Sequence, residues 1–238
     1  MNKDGIVRKV RAALEHEPRV NLHAHPIRIG YADGAVVLEG EVESIAAKKI
    51  ALELAAAVEG PRGVLDRLRV AAERKGDGEM RDSLCAFLLQ QPEFSECGMH
   101  ARADGGARTL RALEHASGEI DISVADGVIT LEGHVPSLTH KRLAGVIAWW
   151  TPGCRDVVNS LDVVPAEQDN DAEVVEALRL VLEIDPLIQP EQITAKCRQY
   201  EVTLGGYVRN ENEREQAERD AWAVFGVDNV VNRIEVRG

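Results

Sequence analysis

Three short stretches of the chain alternate apolar and polar residues in the same way and carry a glycine at the same place. Alternation with a period of two is typical of a β-strand that buries one face. The stretches read VVLEGEV (36–42), ITLEGHV (129–135) and VTLGGYV (202–208). Their glycines, Gly40, Gly133 and Gly206, give a common reference position for comparing the residues around them.

The residues around the three glycines also recur at fixed distances. An isoleucine stands thirteen residues before each glycine, a helix-capping residue stands four after it, and a valine stands twenty-four after it. These positions hold Ile27, Ile120 and Ile193; Ser44, Ser137 and Asn210; and Val64, Val157 and Val230. A register that holds through three copies predicts three equivalent structural units.

Each unit begins with a segment whose apolar residues have the i, i+3, i+4 and i+7 spacing of an amphipathic helix, ended by a proline at position 18, 92 or 186. Two strands, a second helix and a last strand follow. We therefore expect an α+β protein of three tandem modules, 1–72, 79–165 and 170–238. Each module is predicted to be a two-layer α-β-β-α-β unit, with a three-stranded mixed sheet and two helices on one face.

The first two strands of each unit are close enough in the sequence to form a hairpin. Asp33-Gly34 and Asp126-Gly127 join them in the first and second units, and Asp-Gly accepts the positive φ angles of a tight turn. The third unit has Gln199-Tyr200 at this place. Because these residues do not favour positive φ, we expect a different turn there.

The second unit carries an insertion at about 95–117. It has 27 residues between Pro92 and Ile120, against 8 and 6 at the corresponding places in the first and third units. Residues Thr109 to His115 show a short helical pattern. We interpret the insertion as a packing or dimer contact, with a functional lid as the alternative. The connecting segments 73–79 and 165–171 are short, so the modules are expected to pack on one another.

A glycine inside a strand packs no side chain and costs conformational entropy, so the three reference glycines need a reason. Two structural reasons are a β-bulge and the close approach of a neighbouring backbone. The functional reason would be room for the phosphate of a ligand. We disfavour it because no second glycine or basic residue recurs beside the three positions.

Charge narrows the range of partners. The 40 acidic and 28 basic residues give a formal net charge of −12, which disfavours an electrostatic grip on nucleic acid or anionic lipid. The charge is uneven: residues 1–76 hold 13 bases and 11 acids, residues 77–165 hold 7 and 13, and residues 166–238 hold 8 and 16. We expect no nucleic-acid partner, and the first module is the one best suited to an anionic surface.

Neither the first residues, MNKDGIVRKV, nor any later stretch has the apolar run of a signal peptide or a membrane span. The expected location is the cytoplasm, or the periplasm if an export signal has been removed. The four cysteines lack CxxC spacing, so we interpret Cys85, Cys97, Cys154 and Cys197 as free thiols rather than zinc ligands.

Candidates for catalysis or metal binding are few. His23 and His25 are the metal-ligand candidates, but no third ligand recurs at a fixed spacing, so we interpret them as solvated loop residues. No GxSxG, Walker A or GxGxxG motif occurs. The acids of residues 210–225, Asp220 among them, are interpreted as a solvated helix face. We expect no enzymatic activity and no cofactor.

Three tryptophans stand near the ends of the predicted second helices. Trp149 and Trp222 are equivalent by register, and Trp150 follows the first of them, whereas the first module has alanines at these places. Packing between modules is the favoured interpretation. The alternative is an exposed aromatic contact for lipid or a partner protein.

The α-β-β-α-β order, the V-x-L-x-G-x-V strand and a closing G-V-x-x-V-x-N-x-L-x-V pattern resemble the BON family of bacterial osmotic-stress and nodulation proteins. The third copy ends in GVDNVVNRIEV (226–236) and the second in GCRDVVNSLDV (153–163). The first, GPRGVLDRLRV (60–70), has Asp66 in place of the asparagine. The resemblance covers nearly the whole chain apart from the insertion.

This resemblance implies a non-catalytic binding module of the bacterial envelope and stress response. Members of the family are proposed to associate with phospholipid, and some bind potassium or build ring-shaped assemblies. Our leading hypothesis is a tandem BON protein that binds a ligand or partner through surfaces of its modules. The alternatives are a potassium-responsive stress protein and a homo-oligomeric assembly scaffold.

Overall fold

The computed structural model describes residues 3–103 and 105–237, and the chain divides into two compact units, residues 1–71 and 72–238. The first unit holds one module and the second holds two. The helices are α1 (Lys3–Glu15), α2 (Ile45–Ala56), α3 (Asp77–Gln90), α4 (Leu138–Trp150), α5 (Asp171–Ile184) and α6 (Glu211–Ala223). Among the described residues, no helix has both the length and the apolar character needed to cross a membrane.

Each module contains one mixed sheet. The strands of the first are β1 (Ile27–Ala32), β2 (Ala35–Val42) and β3 (Val64–Val70). Those of the second are β4 (Cys97–Ala103), β5 (Gly106–Arg111), β6 (Gly118–Ala125), β7 (Val128–Val135) and β8 (Asp156–Val163). Those of the third are β9 (Ile193–Arg198), β10 (Glu201–Val208), β11 (Asn229–Asn232) and β12 (Glu235–Val236).

The first module shows the shared plan in its simplest form. Strand β2 lies in the centre, antiparallel to β1 and parallel to β3. Helices α1 and α2 pack on one face of this sheet, where the alternating residues Ile29, Val36, Leu38 and Leu68 are buried. The predicted α+β class and the module plan are confirmed.

The two other sheets depart from three strands. In the second module the insertion adds β4 and β5 beside β6, which gives the order β5-β4-β6-β7-β8. The helical interpretation of Thr109 to His115 is wrong, because residues 106–111 pair antiparallel with β4. In the third module the last strand is divided into β11 and β12, both parallel to β10.

The second helix of every module is capped at the predicted residue. Ser44 Oγ accepts a hydrogen bond from the Ala47 amide at 3.1 Å, Ser137 Oγ from His140 at 3.3 Å, and Asn210 Oδ1 from Glu213 at 3.0 Å. Each helix begins one residue after its cap. These caps satisfy backbone N–H groups that have no partner within the helix.

All three hairpins use the same left-handed turn, so the expectation of a different turn at Gln199-Tyr200 is wrong. The φ angles are 51° and 86° at Asp33-Gly34, 53° and 75° at Asp126-Gly127, and 52° and 61° at Gln199-Tyr200. The carboxylate of Asp171 accepts hydrogen bonds from the amides of Gln199 and Tyr200, at 2.8 and 2.9 Å. The first residue of α5 thereby stabilises a turn that its own residues disfavour.

Asp77, the first residue of α3, makes the same contact in the second module. It accepts hydrogen bonds from the amides of Asp126 and Gly127, at 2.9 and 3.0 Å. The Tyr200 and Gln199 amides lower the pKa of the Asp171 carboxyl, because they stabilise its charged form. The first module has Lys3 at the equivalent position, and there the turn is Asp-Gly.

Candidate binding surfaces

The three reference glycines occupy one position in three equivalent sheets. Gly40, Gly133 and Gly206 lie opposite Ile27, Ile120 and Ile193 on the neighbouring strand, and their φ angles are +148°, +112° and +102°. A Cβ atom would lie 2.7, 2.1 and 2.0 Å from the carbonyl oxygen of Pro26, Glu119 and Gln192 respectively. The close approach of a neighbouring backbone therefore requires glycine, and a carbonyl group fills the space that a ligand phosphate would need.

The three reference valines are also equivalent. Val64, Val157 and Val230 lie opposite Val36, Ile129 and Val202 of the central strand, in parallel register. None of them is fully exposed, and each contributes to the sheet where its last strand begins. The three valines therefore occupy equivalent places in the three sheets.

The asparagine of the G-V-x-x-V-x-N-x-L-x-V pattern connects the last strand to the second helix of its module by a hydrogen bond. Asn159 Nδ2 donates to the Lys141 carbonyl at 2.7 Å, and Asn232 Nδ2 donates to the Arg214 carbonyl at 3.0 Å. In the first module, Asp66 instead forms an ion pair with Lys48 Nζ at 2.9 Å. The substitution at Asp66 therefore keeps the connection and changes its chemistry.

The contact between the second and third modules is formed by α4, which packs against α5 and α6. Trp150 lies at its centre. Its indole Nε1 donates to Asp220 Oδ1 at 2.9 Å, and its ring makes an edge contact with Phe87, with centroids 6.1 Å apart. Gln216 Nε2 donates to Asp220 Oδ1 at 3.0 Å and to Asp185 Oδ2 at 2.8 Å. We call this group of five side chains the junction cluster.

The placement of Asp220 on a solvated face is wrong, because its exposed fraction is 1%. Its equivalents in the other modules are Leu54 and Ile147, so a carboxyl group stands where the other copies have an apolar side chain. Burial, and next the negative charge of Asp185, raise the pKa of Asp220 to about 8. The hydrogen bond from Trp150 and the charge of Arg219 act in the opposite direction.

Arg142 forms a second part of the junction between these modules. Its exposed fraction is 0%, its Nε donates to the Phe225 carbonyl at 2.9 Å, and its Nη2 donates to Asp169 Oδ1 at 2.6 Å. Two residues of α4 that form the junction are Arg142 and Trp150, and their equivalents in the first module are Lys49 of α2 and Ala57, which follows α2. Helix α2 therefore lacks the side chains with which α4 contacts a neighbouring module.

Two grooves lie between the first helix and the first strand of a module. In the first module the groove, of about 410 Å³, is lined by Lys3, Asp4, Val7, Arg8, Ile29 and Tyr31. In the third module the equivalent groove, of about 630 Å³, is lined by apolar and charged residues of α5, of β9 and of the segment between them. In the second module the insertion occupies this region: Arg111 donates to the carbonyls of Phe94 and Leu89, and β4 pairs with β6.

The remaining sequence candidates are not brought together. Trp222 is 2% exposed and lies within the core, Trp149 is partly buried, and His23 and His25 are in the loop before β1. Residues 3–103 and 105–237 contain no group of three or more His, Cys, Asp or Glu side chains that could hold a metal ion. The four cysteines are free thiols, and burial raises the pKa of Cys85 to about 11.

Sequence reasoning missed Asp220, Arg142 and the two aspartates that hold the hairpins. The repeat register carried a signal for the first of these, because Asp220 aligns with Leu54 and Ile147. The register also carried a signal for Asp77 and Asp171, because each stands eleven residues before an equivalent leucine of its helix, Leu88 or Leu182. Arg142 had no such signal, because the first module has a lysine there.

Comparison with known proteins identifies relatives for most of the chain. Residues 2–72, 107–165 and 170–238 match the BON domain. The second match begins inside the insertion and leaves out α3 and β4. The chain is 29% identical over 162 residues to osmotically-inducible protein Y of Escherichia coli (strain K12). The aligned region covers 68% of this chain and 72% of that protein.

Solved structures give a more distant likeness. The C-terminal domain of CdsD, a structural protein of the type III secretion system of Chlamydia trachomatis, covers 100% of both chains at 14% identity, with a TM-score of 0.26. A second structure of CdsD covers 98% of this chain and 92% of its own at 13% identity, with a TM-score of 0.25. Scores this low do not carry an argument about arrangement or partners.

Proposed function

Because the chain belongs to the BON domain family, we propose that it is an osmotic-stress protein that acts by binding through its modules and not by catalysis. The repeat of one module three times supports this proposal, since each copy is built from the same glycine, cap and valine positions. The similarity to osmotically-inducible protein Y over 162 residues supports the stress context.

A rise in the amount of the protein after a hyperosmotic shift is the expected result in its native host. A quantitative immunoblot before and after the shift measures it, and a heat shift serves as the control for general stress. We expect an increase of several-fold that is specific to osmotic stress. An unchanged level, or an equal rise after heat, would remove the osmotic part of the proposal.

We propose further that the first module contacts anionic phospholipid headgroups. The exposed side chains of α1 include Lys3, Arg8, Lys9 and Arg11, and two of them line the groove beside β1. Residues 1–76 carry 13 bases and 11 acids, whereas the rest of the chain is strongly acidic. Basic side chains close to the apolar residues Val7 and Ile29 suit the boundary between headgroups and acyl chains.

Flotation of the full chain with vesicles tests this contact. At low salt we expect the protein to float with phosphatidylcholine vesicles that contain phosphatidylglycerol, and to remain at the bottom with phosphatidylcholine alone. High salt should reverse the flotation, because exposed charges are screened. The double substitution Lys3→Glu with Arg8→Glu should reduce the vesicle partition coefficient at least about thirtyfold, through the loss of two attractions of roughly 1 kcal/mol each.

The matched control is Arg209→Glu with Arg214→Glu, which makes the same change of net charge in the third module. This variant should float as the unchanged protein does. If neither low salt nor phosphatidylglycerol causes flotation, the lipid contact is rejected. Equal loss in both double variants would show that net charge matters and that α1 has no special role.

A further inference from the structure

The outer edge of β9 is open in the third module. Strand β9 pairs with β10 on one side, and no other described segment pairs with it. The carbonyls of Leu204 and Val208 accept hydrogen bonds from the amides of Arg233 and Arg237, which directly follow β11 and β12. The alternate residues of β10, among them Thr203, therefore direct their backbone groups toward β9. Their partners in β9, such as Lys196, bond inward, and the backbone groups of Ala195 therefore point to the open edge.

A groove runs along this edge, between β9 and α5. Its apolar lining residues are Val175, Leu182, Pro190, Ile193 and Ala195, and its polar ones are Arg179, Glu183, Glu191 and Thr194. Ile193 and Ala195 are partly exposed, whereas their equivalents in the second module, Ile120 and Ile122, are both 0% exposed. An unpaired backbone beside apolar side chains is the arrangement that accepts an added strand.

The second module fills the equivalent place with a strand of its own chain. Strand β4 runs parallel to β6, with Met99 opposite Ile120 and Ala101 opposite Ile122. Met99 is 0% exposed and Ala101 is 3% exposed, so the alternate side chains of β4 pack between the sheet and the helices. The same fold therefore accepts one more parallel strand at this edge.

Charge on the other face of β4 is matched to that of its neighbour. His100 Nε2 lies 3.0 Å from Glu119 Oε2, and Arg102 Nη2 lies 2.7 Å from Asp121 Oδ2. In the third module the equivalents of Glu119 and Asp121 are the uncharged Gln192 and Thr194. The next two residues on this face of β9, Lys196 and Arg198, are basic and exposed. No carboxylate of the described residues forms an ion pair with either of them. A strand added to β9 would therefore be stabilised by acidic residues at these positions.

We propose that the edge of β9 binds an extended segment of a partner protein in which apolar residues alternate with acidic ones. The segment runs parallel to β9, as β4 runs parallel to β6. Its apolar side chains enter the groove beside α5, and its carboxylates face Lys196 and Arg198. This binding is independent of the lipid contact at α1, which lies in another module.

Fluorescence anisotropy of a short labelled peptide tests the proposal. The probe has valine alternating with glutamate, and the control peptide has lysine in place of each glutamate. The full chain should bind the glutamate peptide with a Kd on the order of 10–100 µM, and the lysine peptide at least about tenfold more weakly. Equal binding of the two peptides, or none at the highest soluble concentration, would overturn the proposal.

Two variants locate the site on β9. Ala195→Pro removes an N–H group of the open edge and leaves the bonds to β10 in place, so it should weaken binding about tenfold or more without unfolding the module. Lys196→Glu with Arg198→Glu should reverse the preference toward the lysine peptide. Arg209→Glu with Arg214→Glu, a matched change of charge at a residue just before α6 and one within it, should keep the original preference.

The oligomeric state separates a partner segment from a second copy of the chain. Sedimentation of the protein alone should give a monomer, and Ala195→Pro should not change it. A dimer that Ala195→Pro converts to a monomer would assign the edge to self-association and overturn the partner segment. Peptide binding that survives both β9 variants would also overturn it.

Discussion

Replacing Gly133 with alanine is expected to lower the free energy of unfolding of the compact unit of residues 72–238 by about 3 kcal/mol. The left-handed backbone of this residue costs an alanine about 1–2 kcal/mol. The new Cβ would also lie 2.1 Å from the Glu119 carbonyl oxygen, so β6 and β7 must move apart, at a cost of about 1–3 kcal/mol. Urea denaturation followed by tryptophan fluorescence measures the change, because all three tryptophans are in this unit.

Gly78→Ala is the matched control in the same unit. Gly78 lies in α3, where the nearest atom to a new Cβ is Arg81 Nη2 at 3.8 Å. Gly78 is the second residue of α3, where alanine is favoured over glycine less strongly than in the middle of a helix, so this variant should be more stable by up to about 0.5 kcal/mol. Two glycine-to-alanine changes in one unit are thus expected to have opposite signs. A loss of less than about 1 kcal/mol for Gly133→Ala would contradict the close backbone contact.

Asp220→Asn is expected to stabilise the compact unit of residues 72–238 above neutral pH and to have a much smaller effect, of at most about 1.4 kcal/mol, at about pH 5. Folded Asp220 keeps its proton up to about pH 8, whereas the carboxyl of the unfolded chain releases it above about pH 4. Between these values the folded state binds more protons, so stability falls as the pH rises, by at most about 1.4 kcal/mol per unit. The amide of asparagine stays neutral and can still accept the Trp150 hydrogen bond.

Denaturation curves at about pH 5 and about pH 9 test this prediction. At the higher pH the variant should exceed the unchanged protein by about 2 kcal/mol or more, because two carboxylates, Asp185 and Asp220, no longer share one buried site. Glu215→Gln on the exposed side of α6 is the control and should leave the pH dependence as it is. A pH profile that Asp220→Asn does not change would mean that Asp220 is ionised in the folded protein at neutral pH.

Local patterns predicted the parts of the fold that depend on local sequence. The strand glycines, the caps Ser44, Ser137 and Asn210 and the order of elements follow from alternation, helical spacing and capping chemistry, which act within a few residues. The repeat strengthened these predictions, because each pattern occurred three times. The helix predicted at Thr109 to His115 was wrong because so short a stretch fits both the helical and the strand period. Pairing with β4 makes residues 106–111 a strand.

The candidate surfaces depend on contacts between distant segments, and these were harder to predict. In the sequence Asp220 looks like the other acids of α6, such as Glu215, and its burial depends on a contact with Trp150 of the preceding module that the local pattern does not show. The open edge of β9 becomes apparent only when β4 is found at the equivalent edge of β6. The tryptophans gave a useful hint, since Trp150 lies at the junction of the two modules.

The aspartates at the starts of α3 and α5 connect the formation of each hairpin to the helix that precedes it. In the third module, Gln199-Tyr200 has little tendency to reverse the chain alone, so β9 and β10 gain their turn once Asp171 is in place. In the second module Asp126-Gly127 reverses the chain by local preference, and Asp77 adds to it. We therefore expect the third hairpin to depend more strongly on Asp171 than the second depends on Asp77.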